Sequence, residues 1–443
     1  MFSNSDLKRL IRPLILEQIL AVTVGMADVI MVSSVGAAAV SGISLVDTIN
    51  VLLISLFSAL ATGGAIVGSQ FLGNKDHSKA CEATEQLIYV IMMVSTTIML
   101  LSLIFNAQLL QLVYGGVEQD VFTAARTYFY LSALSYPFLA LYNAEAAAFR
   151  SMGNSKVSLY ASTIMNLMNI VGNAVLIYIF HLGVAGAAIS TLISRIAASL
   201  ILFVLLKNQK LEIHIPAKFS FRLNFNIIRR ILSIGVPNGL ETSIFQLGKI
   251  LVARQIVVYG TPAVTANAIA NTVASFEVLP GSAIGLALIT VVGQCVGARE
   301  FEQAKLYTKK LLKMTYKIML GLNLAMLVLV HPILMLYQQT PEITGIAKEL
   351  IIYHTILCAI IWPFAFTLPN ALRAASDAKF TMVISIASMW LWRILFAYVL
   401  GDLFGLGVLG VWIAMTIDWA FRAGCFLVRF HKNKWMLRMT DMG

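Results

Sequence analysis

The chain has 443 residues, of which 59% are hydrophobic and only 12% are charged. A soluble protein of this length needs a far more polar surface, so these values exclude a water-soluble globular fold and point to a helical membrane protein. The net charge of +11 would suggest nucleic acid in a soluble protein. Here the basic residues collect in alternate connections between apolar stretches, which marks orientation in a bilayer and no nucleic-acid partner.

The first stretch, "PLILEQILAVTVGMADVIMVSS" (13–34), is long enough to cross the hydrocarbon core, which takes about 20 apolar residues. It follows Lys8, Arg9 and Arg12 and lacks a small-residue cleavage site, so it reads as a transmembrane helix and not as a signal peptide. Eleven further crossings are predicted at 46–71, 87–112, 123–149, 157–180, 184–206, 234–258, 264–292, 314–337, 346–372, 380–400 and 408–428. The connections 73–86, 150–156, 207–233, 293–313 and 373–379 are basic, whereas "YGGVEQDV", "HLG", "YGTP", "QQTPE" and "GDLFGLG" contain no Lys or Arg. By the positive-inside rule both termini are expected in the cytoplasm, with the chain multi-pass in the cell (inner) membrane.

The chain is duplicated. A shift of 224 places Pro13 on Pro237, Glu17 on Glu241, Gly36 on Gly260, Gln70 on Gln294 and Gly73 on Gly297, and "LGVAG" (182–186) on "LGVLG" (406–410). A one-residue slip aligns "FRSMGNSK" (149–156) with "LRAASDAK" (372–379). Six crossings per half give both halves the same orientation, the plan of a parallel-repeat transporter. The expected fold is therefore an all-α polytopic protein of twelve helices in two six-helix lobes around a central cleft. The expected boundaries are 1–207 for the N-terminal lobe, 208–233 for a cytoplasmic linker and 234–443 for the C-terminal lobe.

Asp28 lies deep in the first crossing, and intramembrane carboxylates mark ion or proton pathways. Glu17, eleven residues earlier, falls on the same helical face nearer the cytoplasmic end. In the fifth crossing Asn166, Asn169 and Asn173 recur at spacings of three and four, a polar stripe that must find partners because lipid offers none. Thr191 in the sixth adds a hydroxyl. Oxygens of Asp28, Asn169, Asn173 and Thr191 suit a small hard cation such as Na+, and the same carboxylate suits a proton. The repeat supplies a control: the second-half counterparts Val252, Trp392, Phe396 and Met415 are all apolar. A polar cluster needed only to glue this fold together would be present in both halves, so its one-sidedness favours function.

The second half carries different polar groups: Glu241, Lys249 and Arg254 in the seventh crossing and Glu277 in the eighth. Glu241 and Glu277, with Glu17 and Asn166, are candidates for substrate contact or secondary coupling. Glu145 is expected to pair locally with Arg150. Arg195 and Arg393 must face protein or a wet cavity. Kinks are expected at Pro137, Pro280, Pro363 and Pro369, and "GSAIG" (281–285) is a small-residue packing motif. "GSQFLGNK" (68–75) has Asn74 where a phosphate loop needs lysine, which argues against ATP as the energy source. Cys81, Cys295, Cys358 and Cys425 are too dispersed for a zinc or disulfide framework. No cofactor is expected beyond Na+ or H+ as coupling ion, and no catalytic motif supports an intramembrane enzyme.

The stretches "GMADVIMVSSVGAAAVSGISLV", "VGSQFLGNKDHSKA", "FRSMGNSKVS", "NIVGNAVLIYIFHLGVAGAAIST", "GVPNGLETSIF" and "VGQCVGAREFEQA" resemble the multidrug and toxic compound extrusion (MATE) family across nearly the whole chain. The resemblance implies a twelve-helix, two-lobe antiporter that exports amphiphilic, often cationic, compounds such as drugs or toxic metabolites against inward Na+ or H+ flow, and the chain is expected to act as a monomer. It implies an N-lobe cation site at Asp28, Asn169, Asn173 and Thr191. Asn173, where DinF-like members usually carry aspartate, is more NorM-like and leaves Asp28 as that cluster's only carboxylate; Glu241 resembles the NorM-like acid of the seventh helix. The alternative function is a lipid-linked sugar flippase of related two-lobe architecture, for which Lys249, Arg254 and Arg393 would be the cationic groups.

Overall fold

The computed structural model describes residues 1–216 and 222–436. Residues 217–221 of the expected linker and 437–443 of the expected C-terminal lobe lie outside them. Among the described residues every regular element is helical. In chain order these are α1 (Asn4–Ser33), α2 (Ala37–Gly73), α3 (His77–Ile104), α4 (Asn106–Tyr114), α5 (Gln119–Leu134), α6 (Tyr136–Ser151), α7 (Ser155–Ile179) and α8 (Gly183–Leu206). The second half contributes α9 (Phe225–Val258), α10 (Thr261–Glu277), α11 (Leu279–Gly297), α12 (Phe301–Leu336), α13 (Pro341–Ala374), α14 (Ala378–Leu403) and α15 (Gly407–His431).

Ten of these helices are long and apolar enough to cross a membrane. The two other expected crossings are present in altered form. The fourth is broken into α5 and α6 around Ser135, two residues before Pro137. The seventh is the single helix α9, whose apolar run is interrupted by Glu241, Lys249 and Arg254. Pro280 acts as Pro137 does: α10 and α11 meet at Val278. Pro363 opens a wide π-type turn, Pro363–Thr367, inside α13, whereas Leu368–Ala374, which includes Pro369, is regular α-helix. At Pro137, Pro280 and Pro363 the missing N–H and the ring clash weaken the adjoining turn, whereas the kink expected at Pro369 does not interrupt the helix. Several helices begin well before their apolar run: α2 starts at Ala37 and α9 at Phe225.

The repeat is written into the backbone. Lys75 (φ 59°) and Arg299 (φ 60°), which follow the ends of α2 and α11, are left-handed residues 224 positions apart. Gly183 and Gly407, both at φ 53°, open α8 and α15 at the same offset. A left-handed residue just past a helix end closes its last carbonyls and redirects the chain, so the two halves turn at equivalent points.

The chain divides into two compact units, Phe2–Gly239 and Leu240–Gly443 with Met1. The division falls inside α9, not in the linker between helices. In the N-terminal unit α2 is the central helix, buried almost continuously from Ala59 to Gln70. In the C-terminal unit α11 has that role, with Ala283 to Val292 nearly all buried. The small residues of "GSAIG" allow this: a Cβ on Gly281 would stand 2.2 Å from Trp362 of α13, and one on Gly285 2.5 Å from the Asn370 amide.

Candidate cation-coupling site

Asp28, Asn169, Asn173 and Thr191 come together between α1, α7 and α8 in the N-terminal unit. Asn173 Nδ2 donates to Asp28 Oδ1 at 2.9 Å. With the Asn169 amide turned so that its nitrogen faces the carboxylate, it donates to Asp28 Oδ1 and Oδ2 at 2.9 and 3.0 Å, and its oxygen lies 3.1 Å from Thr191 Oγ1. That orientation satisfies every partner, whereas the opposite one sets oxygen against oxygen. Asn173 Oδ1 is buried and has no hydrogen-bond partner. No Lys or Arg forms an ion pair with Asp28 among the described residues.

Asp28 faces a cavity of about 200 Å³ lined also by Asp47, Tyr128, Asn173, Thr191 and Arg195. Asp47 is a second carboxylate there that the sequence reading missed. It accepts from Asn50 Nδ2 at 3.2 Å and from the Tyr128 hydroxyl. Arg195 donates to Ser135 Oγ at 2.6 Å, and its charge acts on both carboxylates. Two acids and one guanidinium leave this cavity one negative charge in excess when all are ionised.

The other candidates lie elsewhere. Asn166 reaches only Ser162 of its own helix, at 3.4 Å. Glu17 accepts from Ser158 Oγ at 2.7 Å and lies 3.8 Å from Arg150. Glu241 accepts from Arg373 at 2.7 Å and from Ser385 Oγ at 2.7 Å. These two clusters are the same arrangement twice: Glu17 and Glu241 are 224 residues apart, and Arg150 and Arg373 are matched by the one-residue slip. The expected Glu145–Arg150 pair is absent. Arg150 is drawn to Glu17, and Glu145, wholly buried, has neither carboxylate oxygen hydrogen-bonded. Five positions along one helix point the two side chains to different sides.

Glu277 ends α10 in the core of the C-terminal unit. It accepts from Thr355 Oγ1 at 2.5 Å and shares a 2.6 Å hydrogen bond with His354 Nδ1. Asp418 accepts from Arg422 Nε at 2.7 Å and from the Ser388 hydroxyl. The repeat counterparts of the N-terminal cluster are hydrophobic packing: Val252, Phe396 and Met415 lie against Ile256, Ala270, Trp412 and their neighbours.

The MatE family model matches residues 13–175 and again 236–399, one copy on each half. The chain belongs to the MatE family. Among curated MatE relatives it is 29% identical over 429 residues to the uncharacterized transporter YisQ of Bacillus subtilis, covering 96% of this chain and 93% of the relative. It is 24% identical to the probable multidrug resistance protein NorM of Thermotoga maritima, covering 98% and 94%. Its fold is that of solved MATE structures. A MATE crystal structure in the bent conformation superposes with a TM-score of 0.90 at 19% identity, over 99% of this chain and 96% of that one. An outward-facing multidrug resistance MATE transporter superposes at 0.91 and 19%, over 98% and 96%.

Proposed function

We propose that this MatE protein is a secondary active antiporter that exports amphiphilic compounds, often cationic drugs or toxic metabolites, in exchange for Na+ or H+ by alternating access. The observation that carries this reading is the one-sided cluster around Asp28, with the orphaned Asn173 oxygen beside a carboxylate that forms no ion pair among the described residues. Asn amides serve either state of such a site. Toward a bare carboxylate they present N–H; toward a bound cation, or a protonated carboxyl, they present oxygen by rotation about χ2. Na+ and H+ then compete for the same oxygens.

Occupancy changes the charge of the cavity. With the acids ionised the excess negative charge attracts a cation; once Asp28 is neutralised, Asp47 and Arg195 balance. An ion shifts a conformational equilibrium only through its different affinity for the two states, and a half-buried cluster built from three helices changes its ligand geometry whenever those helices move. The reading places the protein in the cell membrane as a monomer, both termini cytoplasmic, with no enzymatic role and no nucleic-acid partner. A lipid-linked sugar flippase remains the second reading because of Lys249, Arg254 and Arg393.

Dye accumulation in everted vesicles under an imposed Na+ or H+ gradient tests the proposal. The expected result is gradient-dependent accumulation that Asp28→Asn abolishes. Accumulation independent of both gradients contradicts it, and gradient-independent movement of a labelled lipid decides for the flippase.

A further inference from the structure

The C-terminal unit holds an excess of the opposite charge. Three cations surround the ring of Phe245 on α9: Arg393 at 5.1 Å, Arg422 at 5.2 Å and Lys249 at 6.0 Å from its centroid. One carboxylate, Asp418, stands against two of them and none against the third. Asp418 bonds Arg422 at 2.7 Å and lies 3.6 Å from Arg393, too far for a hydrogen bond. The neighbouring Glu241 does not relieve the excess, being engaged by Arg373. Lys249 has no ion pair or hydrogen bond among the described residues, and the charge acting on it is the like-signed Arg393.

Arg393 is 9% exposed, and its Nη1 makes no hydrogen bond; it faces the equally unbonded Asp418 Oδ2 across 3.6 Å. With Asp418 shared by two guanidinium groups and an exposed ammonium beside them, the four groups carry two positive charges in excess, a cost that falls on the buried Arg393. Cation–π attraction offsets only about 0.5–2 kcal/mol per contact and does not neutralise charge. An anion does, and a guanidinium and an ammonium are the pair that binds carboxylate, sulfonate or phosphate. The half-buried Phe245 ring that these cations share is the apolar group nearest to them.

We propose that the surface of the C-terminal unit around Phe245 binds the anionic group of an amphiphile, with Lys249 and Arg393 as its counter-charges. The inference rests on the efflux reading only in treating this unit as a place where cargo binds, and it makes a carboxylate, sulfonate or phosphate part of that cargo. The same chemistry is offered by a soluble amphiphile and by the headgroup of an anionic phospholipid.

The full chain in phosphatidylcholine nanodiscs, dialysed against naphthalene-2-sulfonate or 2-naphthyltrimethylammonium, tests it with one aromatic body and two charges. The expected result is sulfonate affinity about tenfold above that for the ammonium, lowered about tenfold by Lys249→Gln and kept by Lys249→Arg. Lys249 has no partner to strand, so its replacement tests the site without threatening the fold. Loss of sulfonate binding when phosphatidylglycerol is included identifies the anion as a lipid headgroup; retention identifies a soluble amphiphile. Equal affinity for the two probes, or no effect of Lys249→Gln, overturns the inference. Neither result touches the gradient dependence through Asp28, so the two readings fail separately.

Discussion

The two units share a framework and differ in charge. Equivalent left-handed turns and the paired arrangements Glu17–Arg150 and Glu241–Arg373 occur in both. Around Asp28 the N-terminal unit gathers two acids and one guanidinium, whereas around Phe245 the C-terminal unit gathers three cations and one acid. The positions of Asp28, Asn173 and Thr191 in the first half are hydrophobic packing in the second, where Val252, Phe396 and Met415 stand. A duplicated fold thus separates what the architecture needs, which appears twice, from what a binding site needs, which appears once.

Substitutions in the two units sharpen this separation. The largest stability effect is expected for Asp418→Asn, which strips the carboxylate from two buried guanidinium groups. Breaking such a pair costs about 3–5 kcal/mol and should lower the thermal unfolding midpoint of the purified protein markedly. An unchanged midpoint would show that the pair carries no structural load. Glu241→Gln should cost about 2–3 kcal/mol, because its 2.7 Å contact with Arg373 is short and buried.

Asn173→Leu should leave the midpoint close to that of the parent while lowering coupling-ion affinity about tenfold, or about 1.4 kcal/mol. A destabilised protein with unaltered ion affinity would make Asn173 interhelical glue. Glu17→Gln should cost less than about 1 kcal/mol, its separation from Arg150 being 3.8 Å. No effect is expected from Val252→Asp as a rescue of Asp28→Asn, since Trp392, Phe396 and Met415, which stand where Asn169, Asn173 and Thr191 do in the first half, offer no side-chain oxygen. Restored gradient-driven transport would break the comparison between the units.

Much of this organisation is legible in the amino-acid order. The offset of 224 points to two halves, and the three-and-four spacing of Asn166, Asn169 and Asn173 marks a polar stripe, two of whose members stand beside Asp28. Period alone could not exclude Asn166, which bonds within its own helix. Asp47 is hard to read because strong hydropathy begins only at Val46, which sets this acid at the apparent mouth of the second crossing. The small residues of "GAAAVSGISLV" carry α2 back to Ala37, which puts Asp47 three turns inside the helix. Arg195 is readable as a charge that needs protein or water, but its partner Ser135 is sixty residues away on the broken fourth crossing. The Glu145–Arg150 expectation fails because five residues along a helix turn the two side chains to different sides, however near they are in sequence.

The most direct test of the central claim, that the coupling ion is bound by the N-terminal unit through Asp28, is infrared difference spectroscopy of the carboxylate bands during Na+ and pH titration. Spectra of the parent would be compared with those of Asp28→Asn and Glu277→Gln. The account predicts one ion-sensitive carboxylate signal for which protons and Na+ compete, absent in Asp28→Asn and retained in Glu277→Gln. A signal that persists in Asp28→Asn and vanishes in Glu277→Gln would contradict it and move coupling to the other unit.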